Sequence, residues 1–227
     1  MRVMPVIVSF VSQKGGVGKS TLARALLAIS SYDLRVRLAD LDPQQGSVVA
    51  WEQARRRHPD APPCEVVPYA TAAEAVLAGG DVELLIIDMP ARTNRATLEV
   101  ARRSNLVVQP TGPSADDLRP AILTFHELVK EGIPKDRLAM AICRVLSDGE
   151  EATVRSYVQA AGYQVLAGAV PERIAYREAQ NRGHAITETS VAALNTQADR
   201  LMEALLMKVT DAIELESERR KAMERKR

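Results

Sequence analysis

The stretch Gln13-Lys14-Gly15-Gly16-Val17-Gly18-Lys19-Ser20-Thr21 decides the fold. An apolar run, Val6-Ile7-Val8-Ser9-Phe10-Val11, precedes it, and a helical pattern, Leu22-Ala23-Arg24-Ala25-Leu26-Leu27, follows it. Strand, glycine-rich loop and helix in that order form the setting a phosphate-binding loop requires. Gly15, Gly16 and Gly18 let backbone N–H groups close around an anion that a Cβ would hold off. The helix that follows turns its positive end toward the same place. Lys19 adds a full charge within reach of β- and γ-phosphates, and the Ser20 hydroxyl is placed to ligate Mg²⁺.

Two generic patterns fail here. G-x-x-x-x-G-K-[ST] needs a glycine where Gln13 stands, and G-x-G-x-x-G accepts Gly16 and Gly18 but meets Thr21 in third place. The pattern that is met is K-G-G-x-G-K-[ST], which sets a second lysine, Lys14, ahead of the glycines.

Two carboxylate-bearing segments follow. Arg35-Val36-Arg37-Leu38-Ala39-Asp40-Leu41-Asp42-Pro43-Gln44-Gln45-Gly46-Ser47 reads as a short strand whose end delivers acids to the ligand-bearing rim of an open α/β sheet. Asp40 and Asp42 point the same way if the strand continues through both, and Pro43 and Gly46 then force a turn. An Asx-turn with a helix N-cap is an equally good reading of that segment alone. Glu83-Leu84-Leu85-Ile86-Ile87-Asp88-Met89-Pro90 is a continuous apolar run ending in an acid, suited to a strand buried on both faces of a parallel sheet.

Together these segments resemble the ParA/MinD family of deviant Walker A ATPases, most closely its small plasmid-type ParA members. The resemblance covers residues from 5 to about 186, and Lys14–Thr21 is its most specific part. It implies ATP and Mg²⁺ as ligands. Lys14, Gly15, Gly16, Val17, Gly18, Lys19, Ser20 and Thr21 would hold the nucleotide, with Lys14 reaching across a homodimer to the partner's nucleotide. Asp42 would orient the attacking water, Asp40 would support the metal shell, and Ser20, Asp42 and Asp88 would serve the metal. Met89 stands where the family has threonine. Leu106-Val107-Val108-Gln109-Pro110-Thr111-Gly112-Pro113-Ser114 resembles the family's P-x-x-P-S segment near the nucleotide and dimer face, and simple loop punctuation reads it as well. Val170-Pro171-Glu172-Arg173 resembles the late segment that packs near adenine, which adds Pro171 and Arg173 to the nucleotide site.

Composition narrows the classes. With 227 residues the chain is long enough for one doubly wound core. Thirty Lys and Arg against 29 Asp and Glu give a net charge of +1, so DNA contact needs a local patch. Arg173, Arg177, Arg182, Arg200 and Lys208 are the candidates for it. Cys64 and Cys143 stand apart, without metal or disulfide spacing, which suits a reducing cytosol. His58, His126 and His184 lack ligand spacing and read as surface or helix residues. No apolar run is long enough to span a bilayer, and the N-terminus reads as leading straight into the first strand with no signal peptide.

Strands near 6–12, 35–40, 83–88, 105–109, 137–143 and 163–168 alternate with helices near 19–30, 47–57, 71–78, 93–103, 115–131 and 150–161. The short piece Cys64–Pro68 is extended. This pattern predicts an α/β fold with a single doubly wound, mostly parallel sheet and helices on both faces. A domain over 1–215 and a frayed basic tail over 216–227 complete the expected organisation. Leu194, Leu201, Leu205, Val209 and Ala212 form a helical stripe in the last helix. The tail carries six basic and three acidic residues and only Met223 as a large apolar side chain, unlike the membrane anchor that ends MinD proteins.

The resemblance implies a partition ATPase that dimerises on ATP–Mg²⁺ and binds DNA without sequence preference. A centromere-binding ParB-like partner would stimulate its hydrolysis, and the chain would be cytoplasmic and associated with the nucleoid. A ParA-like ATPase that positions a protein cargo, such as a conjugation, chemotaxis or export complex, shares every nucleotide-site residue. An iron–sulfur reductase-like member would need cluster-bridging cysteines, which Cys64 and Cys143 do not resemble.

Overall fold

Val6–Phe10 forms β1, with all five residues buried. Its even residues Val6, Val8 and Phe10 enter one core layer and Ile7 enters the other, the two-residue period of a strand covered on both faces. The computed structural model describes residues 5–91 and 94–224. After β1 come α1 (Lys19–Ser30), β2 (Val36–Asp40), α2 (Ser47–Arg55), β3 (Glu65–Pro68), α3 (Ala72–Ala78), β4 (Leu84–Asp88) and α4 (Asn94–Arg103). The second half adds β5 (Leu106–Thr111), α5 (Ala115–Lys130), β6 (Leu138–Val145), α6 (Asp148–Ala160), β7 (Gln164–Pro171), α7 (Ile174–Asn181) and α8 (Ala192–Glu224).

All strand pairs are parallel, in the order β3-β2-β4-β1-β5-β6-β7. The chain moves outward from β1 in one direction through β2 and β3, returns through β4, then crosses to β5, β6 and β7. The strand order therefore reverses beside β1, and the crevice at that switch point is where open α/β sheets take ligands. One face is covered by Leu22, Leu26 and Leu27 of α1, Val48 and Trp51 of α2, Tyr176 of α7, and Leu201, Met202, Leu205 and Val209 of α8. The other is covered by α3 to α6, with Val100, Leu118, Ile122, Phe125, Val154 and Val158 at its centre.

The sequence-level elements recur with local differences. β1 ends at Phe10 and not near 12, because the chain must leave the sheet to form the loop. β7 runs on to Pro171, α7 occupies a segment to which the sequence pattern assigned no element, and a 3₁₀ turn at Lys135–Arg137 precedes β6. α8 is 33 residues long, about 50 Å, and passes without a break through residue 215, where the sequence pattern placed the domain end. Its stripe is as expected, with Leu201, Leu205 and Val209 buried and Leu194 and Ala212 packed beside them. Residues 225–227 of the basic tail, the side chains of 219–224 and residues 1–4 lie outside the described part. β7 accepts α8 closely at Gly168, whose φ is +76° and where a Cβ would lie 2.9 Å from the Leu201 amide nitrogen. Among the described residues no helix is long and apolar enough to cross a membrane.

Candidate phosphate-binding site

The sheet register gathers the site. Phe10 on β1 stands beside Asp88 on β4, and Asp88 stands beside Asp40 on β2. The ends of three adjacent strands thus present, in order, the glycine loop, Asp88 and Asp40. Gly16 and Gly18 have φ of +75° and +112°, the left-handed region where a side chain is strained. Nothing lies within 4 Å of where a Cβ would stand on Gly15 or Gly16, so the loop lines open space that side chains would fill. Gly18 is the N-cap of α1, with no side-chain cap and no acid in the first turn. The free N–H groups and positive end of α1 are therefore left for an anion.

Lys19 is buried, and its Nζ donates to the Lys14 carbonyl at 3.4 Å, which folds the ammonium back along the loop. Burial lowers its pKa, against the opposing pull of Asp88 and Asp42. Asp88 is 3% exposed, and burial pushes its carboxyl up from 3.8 to about 6, against a hydrogen bond with Ser20 and the Lys19 charge. Among the described residues its Oδ1 has no hydrogen-bond partner, and neither has Oδ2 of Asp40. Asp40, 1% exposed, is likewise raised by burial, and its Oδ1 accepts from the Asp42 amide at 2.9 Å. β2 stops at Asp40, so the condition for Asp40 and Asp42 to share a strand face is not met; an Asx-turn sets their relative aim.

A cavity of about 310 Å³ joins Gly15, Gly16, Lys19, Ser20, Asp40, Asp42, Asp88 and Met89 with Gln45 and Ser47. Two buried carboxylates with orphaned oxygens beside a serine hydroxyl are hard oxygen donors, the set a Mg²⁺-sized cation takes when phosphates and waters supply its remaining ligands. Among the described residues no cluster of three or more His, Cys, Asp or Glu could hold a metal unaided. The site thus fits a cation that arrives with a polyphosphate.

On the other side of the loop, a cavity of about 350 Å³ is lined by Gly18, Thr21, Cys143, Arg144, Pro171, Arg173, Tyr176, Arg177 and Gln180, among others. Pro171 and Arg173 both line it. Cys143 backs the loop, its Sγ 3.2 Å from where a Gly18 Cβ would stand. Val17 is buried beneath the loop.

Lys14 behaves differently from Lys19. Its side chain is 45% exposed, and its Nζ pairs with Asp117 Oδ1 at 2.7 Å. Burial pushes the Asp117 carboxyl up, but hydrogen bonds with Lys14 and Ser114 outweigh it and hold the group below its usual range. The Ser114 Oγ also accepts from the Asp117 amide at 3.2 Å, capping α5. Asp117 lies in the first turn of α5. Arg144 was missed altogether: it holds a left-handed φ of 63°, pairs with Glu172 at 3.0 Å and reaches the Gly16 carbonyl at 3.5 Å. No local pattern announces such a backbone. Three of the five DNA candidates adjoin through Arg173. Arg173 and Arg177 line the cavity beside the loop, Arg173 and Arg200 a larger one of about 490 Å³ against α8. Lys208 lines a cleft with Asn105 and Leu106 at the start of β5, the opposite end of that strand from the loop. The Arg182 carbonyl meets His58 Nε2 at 2.6 Å.

Asp88 carries a stability prediction. Its folded pKa, about 6, lies above the ordinary 3.8, so its contribution is complete below 3.8 and is lost as pH rises through 6. Two pKa units correspond to a cost on the order of 3 kcal/mol for the charged form. Asp88→Asn is expected to raise the melting temperature at about pH 7.5, with the gain gone by about pH 4. An unchanged melting temperature at both would contradict the burial argument.

Residues 8–186 match the family model described as the CobQ/CobB/MinD/ParA nucleotide binding domain. A curated relative, maintenance of carboxysome distribution protein A of Gloeobacter kilaueensis, is 33% identical over 128 residues, 55% of this chain and 57% of that protein. The chain thus matches little more than half the length of this relative. Among solved structures, a McdA–ATP complex from Cyanothece superposes with a TM-score of 0.67 at 18% identity, covering 89% of this chain and 96% of that one. A plasmid partition protein from Borrelia burgdorferi gives 0.62 at 17% identity, covering 91% and 100%.

Proposed function

The chain belongs to the CobQ/CobB/MinD/ParA nucleotide-binding family, and from that premise we propose that it is a positioning ATPase, which binds ATP with Mg²⁺, dimerises around the nucleotide and moves a cargo through cycles of hydrolysis. The observation that carries this reading is the register of β2, β4 and β1, with Asp40, Asp88, Lys19 and Ser20 on one cavity and Lys14 left half exposed outside it.

Loop N–H groups and the α1 terminus receive the phosphates, and Lys19 neutralises their outer charge. Ser20, Asp88 and Asp42 would hold Mg²⁺, which when bound neutralises charge on the β- and γ-phosphates. Asp42, at the mouth of the turn and partly exposed, orients the attacking water and accepts its proton. Asp40 fixes Asp42 by accepting from its amide. Pro171, Arg173 and Tyr176 take the nucleoside on the far side of the loop. Lys14 leaves Asp117 and contacts the nucleotide of a second copy.

The cargo reading favoured by a specific observation is a protein assembly, because the curated relative is named for carboxysome distribution. A plasmid or chromosome carried through a ParB-like centromere-binding protein is the alternative, supported by likeness of fold to the plasmid partition protein. The partition reading uses DNA as a non-specific track, with strong salt dependence; the protein-cargo reading does not require one. The test is light scattering with ATP–Mg²⁺, ADP or no nucleotide, followed by DNA retention at about 50 mM salt. A dimer with ATP only is expected; a chain monomeric in all three states would refute the reading. DNA retention that ignores nucleotide would remove the DNA track. Asp42→Ala is expected to slow hydrolysis at least about 100-fold and leave a persistent ATP-bound dimer. Wild-type turnover in that variant would exclude Asp42 as the residue that orients water.

A further inference from the structure

Arg24 lies on α1, one turn beyond Ser20, and is only 9% exposed. Its Nη1 donates to Gln180 Oε1 at 3.1 Å, and its Nε has no partner among the described residues. A guanidinium buried on one neutral hydrogen bond is costly unless opposite charge faces it. Ser20 stands one turn before Arg24 on the same face of α1 and hydrogen-bonds Asp88, which the register sets beside Asp40. Burial lowers the Arg24 pKa, and these two buried carboxylates, each with one oxygen unpartnered among the described residues, pull against it. Gln180, in turn, donates from Nε2 to the Tyr176 carbonyl at 3.3 Å, and both residues line the cavity on the nucleoside side of the loop.

We propose that Arg24 is a positioning residue that supplies the permanent counter-charge to Asp40 and Asp88 beneath the phosphate loop, and so lets the site accept a nucleoside triphosphate before its divalent cation is in place. Without it, two buried carboxylates confront an incoming tetra-anion with only Lys19 between them. Its bond to Gln180 makes the same side chain a strut for the nucleoside wall. The inference rests on the nucleotide-binding reading.

The test is equilibrium titration with a fluorescent ATP analogue, in excess Mg²⁺ and in EDTA, so that no turnover is required. Wild type binding no analogue in either condition would fail the nucleotide reading itself, apart from Arg24. Given wild-type binding, Arg24→Met is expected to weaken Mg²⁺-free binding about tenfold and Mg²⁺-supported binding no more than about threefold, since the cation replaces the missing charge. Arg24→Lys is expected to keep the wild-type ratio between the two conditions. Gln180→Ala is expected to weaken both equally. Equal losses in Arg24→Met would reduce Arg24 to a packing residue and overturn the proposal. So would a ratio in Arg24→Lys or Gln180→Ala shifted as far as in Arg24→Met. Should Arg24→Met not fold, Arg24→Gln removes the charge, keeps a donor for Gln180 and decides by the same ratio.

Discussion

Lys19→Ala is expected to lose nucleotide binding altogether at concentrations that saturate the wild type. The ammonium is buried under the loop, held to the Lys14 carbonyl and faced by Asp88 and Asp42. Burial has already stripped water from it, so its contact with a phosphate replaces little hydration. A charge-assisted hydrogen bond contributes about 1.5–3 kcal/mol, and here its loss also leaves Asp88 and Asp42 repelling the phosphates with one compensating charge fewer. The combined effect is at least about 100-fold in affinity. Thermal melting gives a clear readout. At a ligand concentration about 100 times the dissociation constant, binding stabilises a protein by about 2.7 kcal/mol. Wild type should show that upward shift with ATP–Mg²⁺ and the variant none. A variant that still shifts with ATP would remove Lys19 from the phosphate site.

Lys14→Ala is expected to separate two steps that Lys19→Ala abolishes together. Nucleotide affinity should stay within about threefold, because the Lys14 group that touches the site is its backbone carbonyl, which alanine retains. ATP-dependent dimerisation and the hydrolysis that depends on it should vanish. The resting pair with Asp117 does not oppose this. With the lysine 45% exposed, such an ion pair contributes about 0–1 kcal/mol, so it can be exchanged for a phosphate contact in another subunit at little cost. Stability of the free chain should change by less than about 1 kcal/mol. Light scattering that finds a normal ATP dimer, with normal turnover, would exclude a role for Lys14 across the interface.

The parts visible in the sequence were those fixed by short-range pattern. The glycine loop is contiguous, the buried strands are unbroken apolar runs, and Asp40 and Asp88 end their strands because polar residues mark where a strand leaves the core. What stayed hidden depends on partners brought together by sheet crossover. Asp117 meets Lys14, and Gln180 meets Arg24, across more than a hundred residues in each case; nothing local to either residue signals it. Arg24 sits in a helical stretch that reads as one charge on an apolar face, and its bond to Gln180 and its place one turn beyond Ser20, which bonds Asp88, appear only in the fold. The positive charge of the proposed DNA residues was plain in the sequence, but their placement was not: that Arg173 joins Arg177 and Arg200 follows only from the packing of β7, α7 and α8.

The glycine loop stands as a wall between two cavities of similar size, one ending in carboxylates and the other in Pro171, Tyr176 and Arg177. On the proposed reading, which base is accepted and how long its triphosphate survives would be settled by residues that do not touch the same part of the ligand. Drift in α7 would retune the choice of fuel, and changes near Asp42 would slow or speed the cycle. A chain built this way would carry a lock and a clock that adjust separately except where Arg24, buried on α1 and bonded to Gln180, joins them.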